Sequence, residues 1–279
     1  MNENTLNSNL LTAIATALLV IVGLIQIIVI FSQKKLTRLA LTEQYRRLWN
    51  GLKKQWGNIV FIGRQNGEYY QVLDEMSINY LKDETKKHRL DTPTIWALES
   101  IQKVCGTLDE VATRVLQGHL IVTDIYPIFG PEFLRQSRPL RQLLEPEYQN
   151  FNNKNNIHDN HYRIRKEIQD WLIYHDGLRR RCLIIIDLLW AEAARLEDLP
   201  PDDMKSAADA KNKTGSLNRK RVFQETLRLN RFIGIFHAIK LSRHLRRAEY
   251  RSVFNWSGIK GKRLSILNKE WTKRLLRNQ

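Results

Sequence analysis

The chain has 279 residues, 43% hydrophobic and 27% charged, with 13 Gly and 7 Pro. That allows one or two domains with a substantial core and excludes a disordered tail or a collagen-like array. Two cysteines, Cys105 and Cys182, cannot build a disulfide scaffold or a four-cysteine zinc site, and a net charge of +16 calls for an explanation.

Residues 1–9 carry one charge, Glu3. Leu10 to Phe31 then reads LLTAIATALLVIVGLIQIIVIF, 22 residues without a charge, in which Thr12, Thr16 and Gln26 are the polar side chains. At 1.5 Å per residue the run is about 33 Å long, enough for a hydrocarbon core of about 30 Å. A cleaved signal peptide wants a basic start and an apolar run of about 7–15 residues; this stretch has neither. The pattern predicts a single transmembrane helix over 10–32. Lys34, Lys35, Arg38, Arg46 and Arg47 follow it, against Glu43. The positive-inside rule then puts the N-terminus outside and everything after the span in the cytoplasm. Two free thiols suit that reducing compartment. Gln26, polar inside the span, is a candidate contact with a second copy.

Leu41, Tyr45, Leu48, Leu52 and Trp56 recur three and four apart, so a juxtamembrane helix is expected over 33–57, with Gly57-Asn58 as its stop. The basic residues between these positions can lie against anionic headgroups or form a solvated face. Residues 59–73 fit two patterns, a hairpin turning at Asn66-Gly67 or the approach to a helix over about 68–87. The helical spacing of Tyr69, Leu73, Met76 and Tyr80 favours the second. Thr92-Pro93 marks a helix start. Leu98, Ile101, Cys105, Leu108, Ala112 and Val115 then form a clear amphipathic stripe ending near Gly118. Pro127, Pro131, Pro139 and Pro146 predict short helices and turns over 119–149, and the Asn-rich stretch 150–160 reads as a loop. A long helix is expected over 162–198, ended by Pro200-Pro201. The polar residues 200–218 read as a flexible linker, and 219–249 and 265–277 as helices. The organisation is therefore all-α: a near-neutral helical bundle over 58–199, then the linker, then a basic helical segment over 219–279.

The charge is concentrated at the end of the chain. Residues 218–279 hold 17 Lys and Arg against Glu225, Glu249 and Glu270. Repulsion on that scale disfavours a compact unit and is relieved by an anionic partner. Three partners fit: anionic lipid of the inner leaflet, an acidic protein, or nucleic acid, for which interleaved aromatics such as Phe223, Phe232, Phe236, Tyr250, Phe254, Trp256 and Trp271 offer stacking surfaces. The cations that would carry the contact are Arg243, Arg246, Arg247, Lys260, Lys262, Arg263, Lys273 and Arg274.

Candidate chemistry is sparse. Phosphate-binding glycine loops, zincin and serine-hydrolase motifs and a C-x-x-C pair are all absent from the sequence. His158, Asp159 and His161 cluster in the Asn-rich loop, a poor frame for a metal, and no metal or cofactor is expected. Asp187, inside LIIIDLLWAEAA, is either a perturbed carboxylate or the partner of an Arg from a neighbouring helix, or of Arg180 or Arg181 at the end of the apolar run. Arg231-x5-His237 and Arg114-x4-His119 resemble the Arg-x4–6-His motif of HEPN-type ribonucleases, an all-α family. The resemblance implies RNA cleavage by Arg231 and His237. It covers two residues each time, and Phe232 and Val115 stand where that family has a polar residue after the Arg. The expectation overall is a non-enzymatic, membrane-anchored interaction or effector protein. A nucleic-acid-binding or cleaving effector and a membrane subunit of a larger complex are the alternatives.

Overall fold

The computed structural model describes residues 3–65, 68–87, 94–145, 159–197, 199–251 and 256–276. Among these residues every regular element is a helix; the one β feature is an isolated parallel bridge between Tyr250 and Ile259. The chain divides into two units, 1–44 and 45–279.

The first unit is made by helix α1 (Glu3–Gly51) up to residue 44. Its apolar stretch has a mean hydropathy of 2.9 and is long and apolar enough to cross a membrane. Leu18, Leu19, Ile21 and Ile27 are all exposed and point to different sides, so the helix is apolar around its whole circumference, as a lipid-facing helix is. Lys34 and Lys35 are exposed on it; Arg38 is half-buried.

The second unit begins with the last turns of α1. Tyr45, Trp49 and Trp56 are buried there, while Leu48 is exposed. The stripe expected from spacing thus passes through Trp49 rather than Leu48. Trp49 and Trp56 pack against each other, 5.7 Å between ring centroids, and against Phe129 and Phe133 at 4.8–5.2 Å. Tyr45 donates to Glu110 at 2.9 Å and the Trp56 indole to Gln136 at 2.9 Å.

The break falls at Gly51-Leu52, and α2 (Lys53–Gly63) runs through Gly57-Asn58, where a stop was expected. Gly57 serves packing instead: a Cβ there would come within 2.2 Å of the Leu73 side chain. Asn58 donates to the Ser100 hydroxyl at 2.9 Å. The run after Asn58 is therefore helix, not the first strand of a hairpin, and Asn66-Gly67 lies outside the described residues. The next helix, α3 (Glu75–Lys87), starts seven residues later than the spacing suggested, because Asp74 caps it by accepting from the Ser77 amide at 2.7 Å.

Helix α4 (Ile95–Leu116) buries Ile101, Cys105, Leu108, Ala112 and Val115, the predicted face, and ends before Gly118 at φ 81°. Thr92-Pro93 lies outside the described residues. Two helical pieces meeting at Gly130 (φ 68°) make up α5 (Val122–Leu144), with Pro131 opening the second. Instead of one helix over 162–198 there are two, α6 (Asp159–Tyr174) and α7 (Asp176–Leu196), broken at His175. Helix α7 packs against α4, α5 and α6 and against the two helices that follow, α8 and α9. A helix so placed must be apolar all round, and Cys182 to Leu189 is a continuous buried run.

The expected linker is helical as well. Helix α8 (Pro201–Asn230) includes all but its first residue. Pro201 sits in the first turn with Asp202 and Asp203, a favourable helix start. The stretch has few large apolar residues because its buried side is built from Met204, Ala208, Gly215 and Asn218. A 3₁₀ turn (Arg231–Gly234), α9 (Ile235–Leu245), a second 3₁₀ turn (Arg246–Ala248) and α10 (Gly261–Leu276) complete the chain.

Candidate anionic-partner surface

The fold sorts the cations into two populations. The first is consumed inside the second unit. Asp187, 2% exposed, accepts from Arg141 at 2.8 Å and from Lys211. Burial works against its charge, but Lys211 and Arg141 outweigh it and hold the carboxyl down to about 2. Arg141 also pairs with Glu145 at 2.7 Å. The partner of Asp187 is thus an Arg from a neighbouring helix, not Arg180 or Arg181, joined by Lys211 from the expected linker. Arg179 and Arg180 fold back onto Asp176; Arg180 also reaches Glu225, and Arg181 bridges Asp109 and Glu225. The triplet is therefore an internal clasp joining α4, α7 and α8.

Glu192, fully buried on α7, is a third hub. It accepts from Arg195 at 2.5 Å and from Arg247 at 2.8 Å, with His244 at 3.5 Å. Burial pushes the His244 imidazole down to about 4, and neighbouring Arg247 adds to the shift despite Glu192. Neutral His244 contacts the Leu188 carbonyl at 3.2 Å.

Two arginines satisfy helix ends. Arg165, 1% exposed, donates to the carbonyls of Ile62 and Arg64 at the end of α2. Arg263 donates to the carbonyls of Ala194 and Glu197 at the end of α7, at 2.8 and 3.2 Å. A cation is favoured at both places because the last carbonyls of a helix are orphaned and carry its negative pole. Arg219 completes the set by pairing with Glu249.

The second population faces out. Arg243, Lys260, Lys262 and Lys273 are exposed, and among the described residues none of them meets a carboxylate. Arg246 is half-buried. The side chain of Arg274 lies outside the described residues. Of the basic residues singled out by charge alone, then, Arg247 and Arg263 hold the fold together, and these four are available to a partner. Arg46 and Arg47, from the juxtamembrane set, are exposed on the last turns of α1.

Arg231 and His237 are placed differently from a catalytic pair. Arg231 is exposed at φ 55°. The His237 Nε2 is 2.7 Å from the Val115 carbonyl, which can only accept, so this nitrogen carries its proton and anchors α9 to α4. Arg114 and His119 sit at the end of α4, where the Arg114 carbonyl accepts from the His119 amide. His161 packs edge-on against Phe61, and His158 lies outside the described residues; among the described residues no three His, Cys, Asp or Glu side chains are grouped to hold a metal.

A groove of about 840 Å³ opens over the Asp187 cluster, with Tyr70, Arg138, Trp190 and Thr214 among its walls. Of the cations that line it, Arg138 is matched by Glu68 at 3.3 Å and Arg141 and Lys211 by Asp187, while Arg135 is exposed. In comparisons with known protein families, curated proteins and solved structures, nothing matches this chain.

Proposed function

We propose that this chain is a single-pass, membrane-anchored interaction protein, with its second unit in the cytoplasm and its basic C-terminal helices bound to an anionic partner. The span is the apolar part of α1. The observation that carries the binding surface is the division of the cations. The buried acids of the bundle neutralise Arg141, Lys211, Arg180, Arg181 and Arg247, whereas Arg243, Lys260, Lys262 and Lys273 stay exposed and without carboxylates among the described residues. Exposed cations without carboxylates attract anions, an attraction screened by salt within about 8–10 Å.

The test separates the anchor from the surface. Full-length protein is reconstituted in phosphatidylcholine vesicles, and labelled vesicles containing phosphatidylglycerol, a labelled acidic polypeptide or labelled RNA are offered in trans over a salt series. Salt-sensitive capture of an anionic vesicle or polypeptide is expected, lost when Arg243, Lys260, Lys262 and Lys273 are changed to Glu. Capture of RNA alone overturns the reading in favour of a nucleic-acid effector. Capture of none overturns the surface itself.

A further inference from the structure

The turn between α8 and α9 exposes what a folded protein ordinarily hides. Phe232, Ile233 and Phe236 are 85%, 92% and 86% exposed. One exposed aromatic is unremarkable; three large apolar side chains on adjoining turns form a patch, and a patch calls for a partner. The turn is not a loose end that could fold back over them. Asn230 donates to the Leu116 carbonyl at 2.7 Å and the His237 Nε2 contacts the Val115 carbonyl at 2.7 Å, so both flanks are fastened to the end of α4. Between the fasteners the chain makes its one left-handed non-glycine residue among those described, Arg231 at φ 55°. Such a conformation is costly for a residue with a Cβ and persists only where the surroundings impose it. Ala238, Leu241 and Leu245 occupy the inward side of α9, which leaves Phe236 outward with Lys240 and Arg243, four and seven residues on.

We infer that Phe232, Ile233 and Phe236 insert into the headgroup region of an anionic bilayer while Arg231, Lys240 and Arg243 hold its phosphates. This rests on the anionic-partner reading above and names the partner as lipid. The arrangement is that of an interfacial helix, apolar side chains at the tip and cations around them. A second copy of the chain is the poorer occupant. Three side chains of this size present about 400–500 Å², so two copies would bury under about 1,000 Å², less than a stable interface needs. Symmetric pairing would also set Arg231, Lys240 and Arg243 of each copy against one another. Nucleic acid would use the cations but gains nothing from Ile233, which has no ring to stack.

The experiment reads depth. Phe236→Cys is labelled with a polarity-sensitive fluorophore in the full-length protein; Cys105 and Cys182 are fully buried and stay unlabelled. Met76→Cys on α3 and Ser265→Cys on α10, both exposed, are labelled as comparison sites. Each protein is reconstituted in vesicles of phosphatidylcholine alone or mixed with phosphatidylglycerol, with a spin-labelled lipid quencher near the headgroups. The expected result is blue-shifted, quenched emission at 236 in the anionic vesicles, no change at 76, and loss of the effect when Phe232 and Ile233 are changed to Ser. If the label at 265 nears the lipid while that at 236 stays aqueous, insertion is overturned and the anionic-partner reading stands. If neither responds to anionic lipid, insertion is overturned and the anionic-partner reading is left to an acidic polypeptide. If RNA draws the label at 265 off the vesicles, lipid is not the partner.

Discussion

Helix α7 and helix α9 treat charge in opposite ways. On α7, Asp187 and Glu192 are taken out of water, and each collects at least two cations from other elements or from its own next turn. On α9, Arg243 and Lys240 face outward with nothing opposite them among the described residues, beside apolar Phe236. Both helices belong to the same compact unit. The difference shows that a count of basic residues does not locate a binding surface. What locates it is the remainder after the buried acids have taken their partners.

The comparison breaks most sharply at Asp187. Removing one partner of a buried ion cluster leaves the others charged and desolvated, which costs about 3–5 kcal/mol. Asp187→Ala leaves Lys211 without its carboxylate beside Arg141, which keeps only Glu145, so the unfolding free energy of the full chain, measured by urea in mild detergent, is expected to fall by that amount. Asp187→Ala combined with Lys211→Met should recover part of the loss.

At His244 the same logic takes a pH-dependent form. Its folded-state value of about 4 lies below the ordinary 6.5, so between those values the unfolded chain binds the extra proton. Stability is therefore full above about pH 6.5 and lost as pH falls toward 4. A difference of about 2.5 units corresponds to about 3 kcal/mol. Asp187 has the usual carboxylate sign, its contribution present above pH 3.8 and fading toward pH 2. Urea midpoints taken across pH 4–7 should show the histidine slope, and His244→Gln, which keeps a donor for the Leu188 carbonyl, should flatten it.

Gly63→Ala tests packing rather than charge. A Cβ there would lie 2.4 Å from the Pro139 carbonyl oxygen, backbone that cannot rotate away. An overpacking cost of about 1–3 kcal/mol is expected in the same denaturation assay.

These sites mark what could be read in the sequence and what could not. The apolar run of α1 and the stripe of α4 were legible because burial or lipid contact repeats at every turn of a helix. The continuation of α2 through Gly57-Asn58 was hidden, since Gly ends a helix and also admits a close neighbour, and only the position of Leu73 decides between the two. The helical nature of 201–218 was hidden for a related reason. Small residues were sufficient on its buried side, so the polar composition resembled a linker, although Pro201 with Asp202 and Asp203 was a legible helix start. In the candidate surface, the excess of cations in the last 62 residues was plain. That Arg247 and Arg263 belong to the fold depends on Glu192 and on the end of α7, contacts made across 55 and 69 residues, beyond any local pattern. Phe232 and Phe236 stand out in the sequence only as aromatics interleaved with cations; their exposure follows from Asn230 and His237 fixing the turn on α4.

The smallest expected change in stability makes the clearest contrast. Lys262→Glu and Arg263→Glu alter neighbouring residues by the same two units of charge. Lys262 is exposed, so its reversal should shift the unfolding free energy by no more than about 0.5 kcal/mol. Arg263 fills the carbonyls of Ala194 and Glu197, and a carboxylate there would face the negative end of α7, so its reversal should cost at least about 2 kcal/mol. Binding should rank them the other way once stability is matched by temperature. A basic residue near an anionic surface is worth about 1 kcal/mol, so Lys262→Glu should weaken capture of anionic vesicles about fivefold or more, with a shallower salt dependence. Arg263→Glu, still folded, should leave the salt slope nearer to that of the parent chain, because its charge was already committed to α7. If both reversals act alike on the salt slope, the division into internal and outward cations is wrong, and the C-terminal helices act through net charge alone.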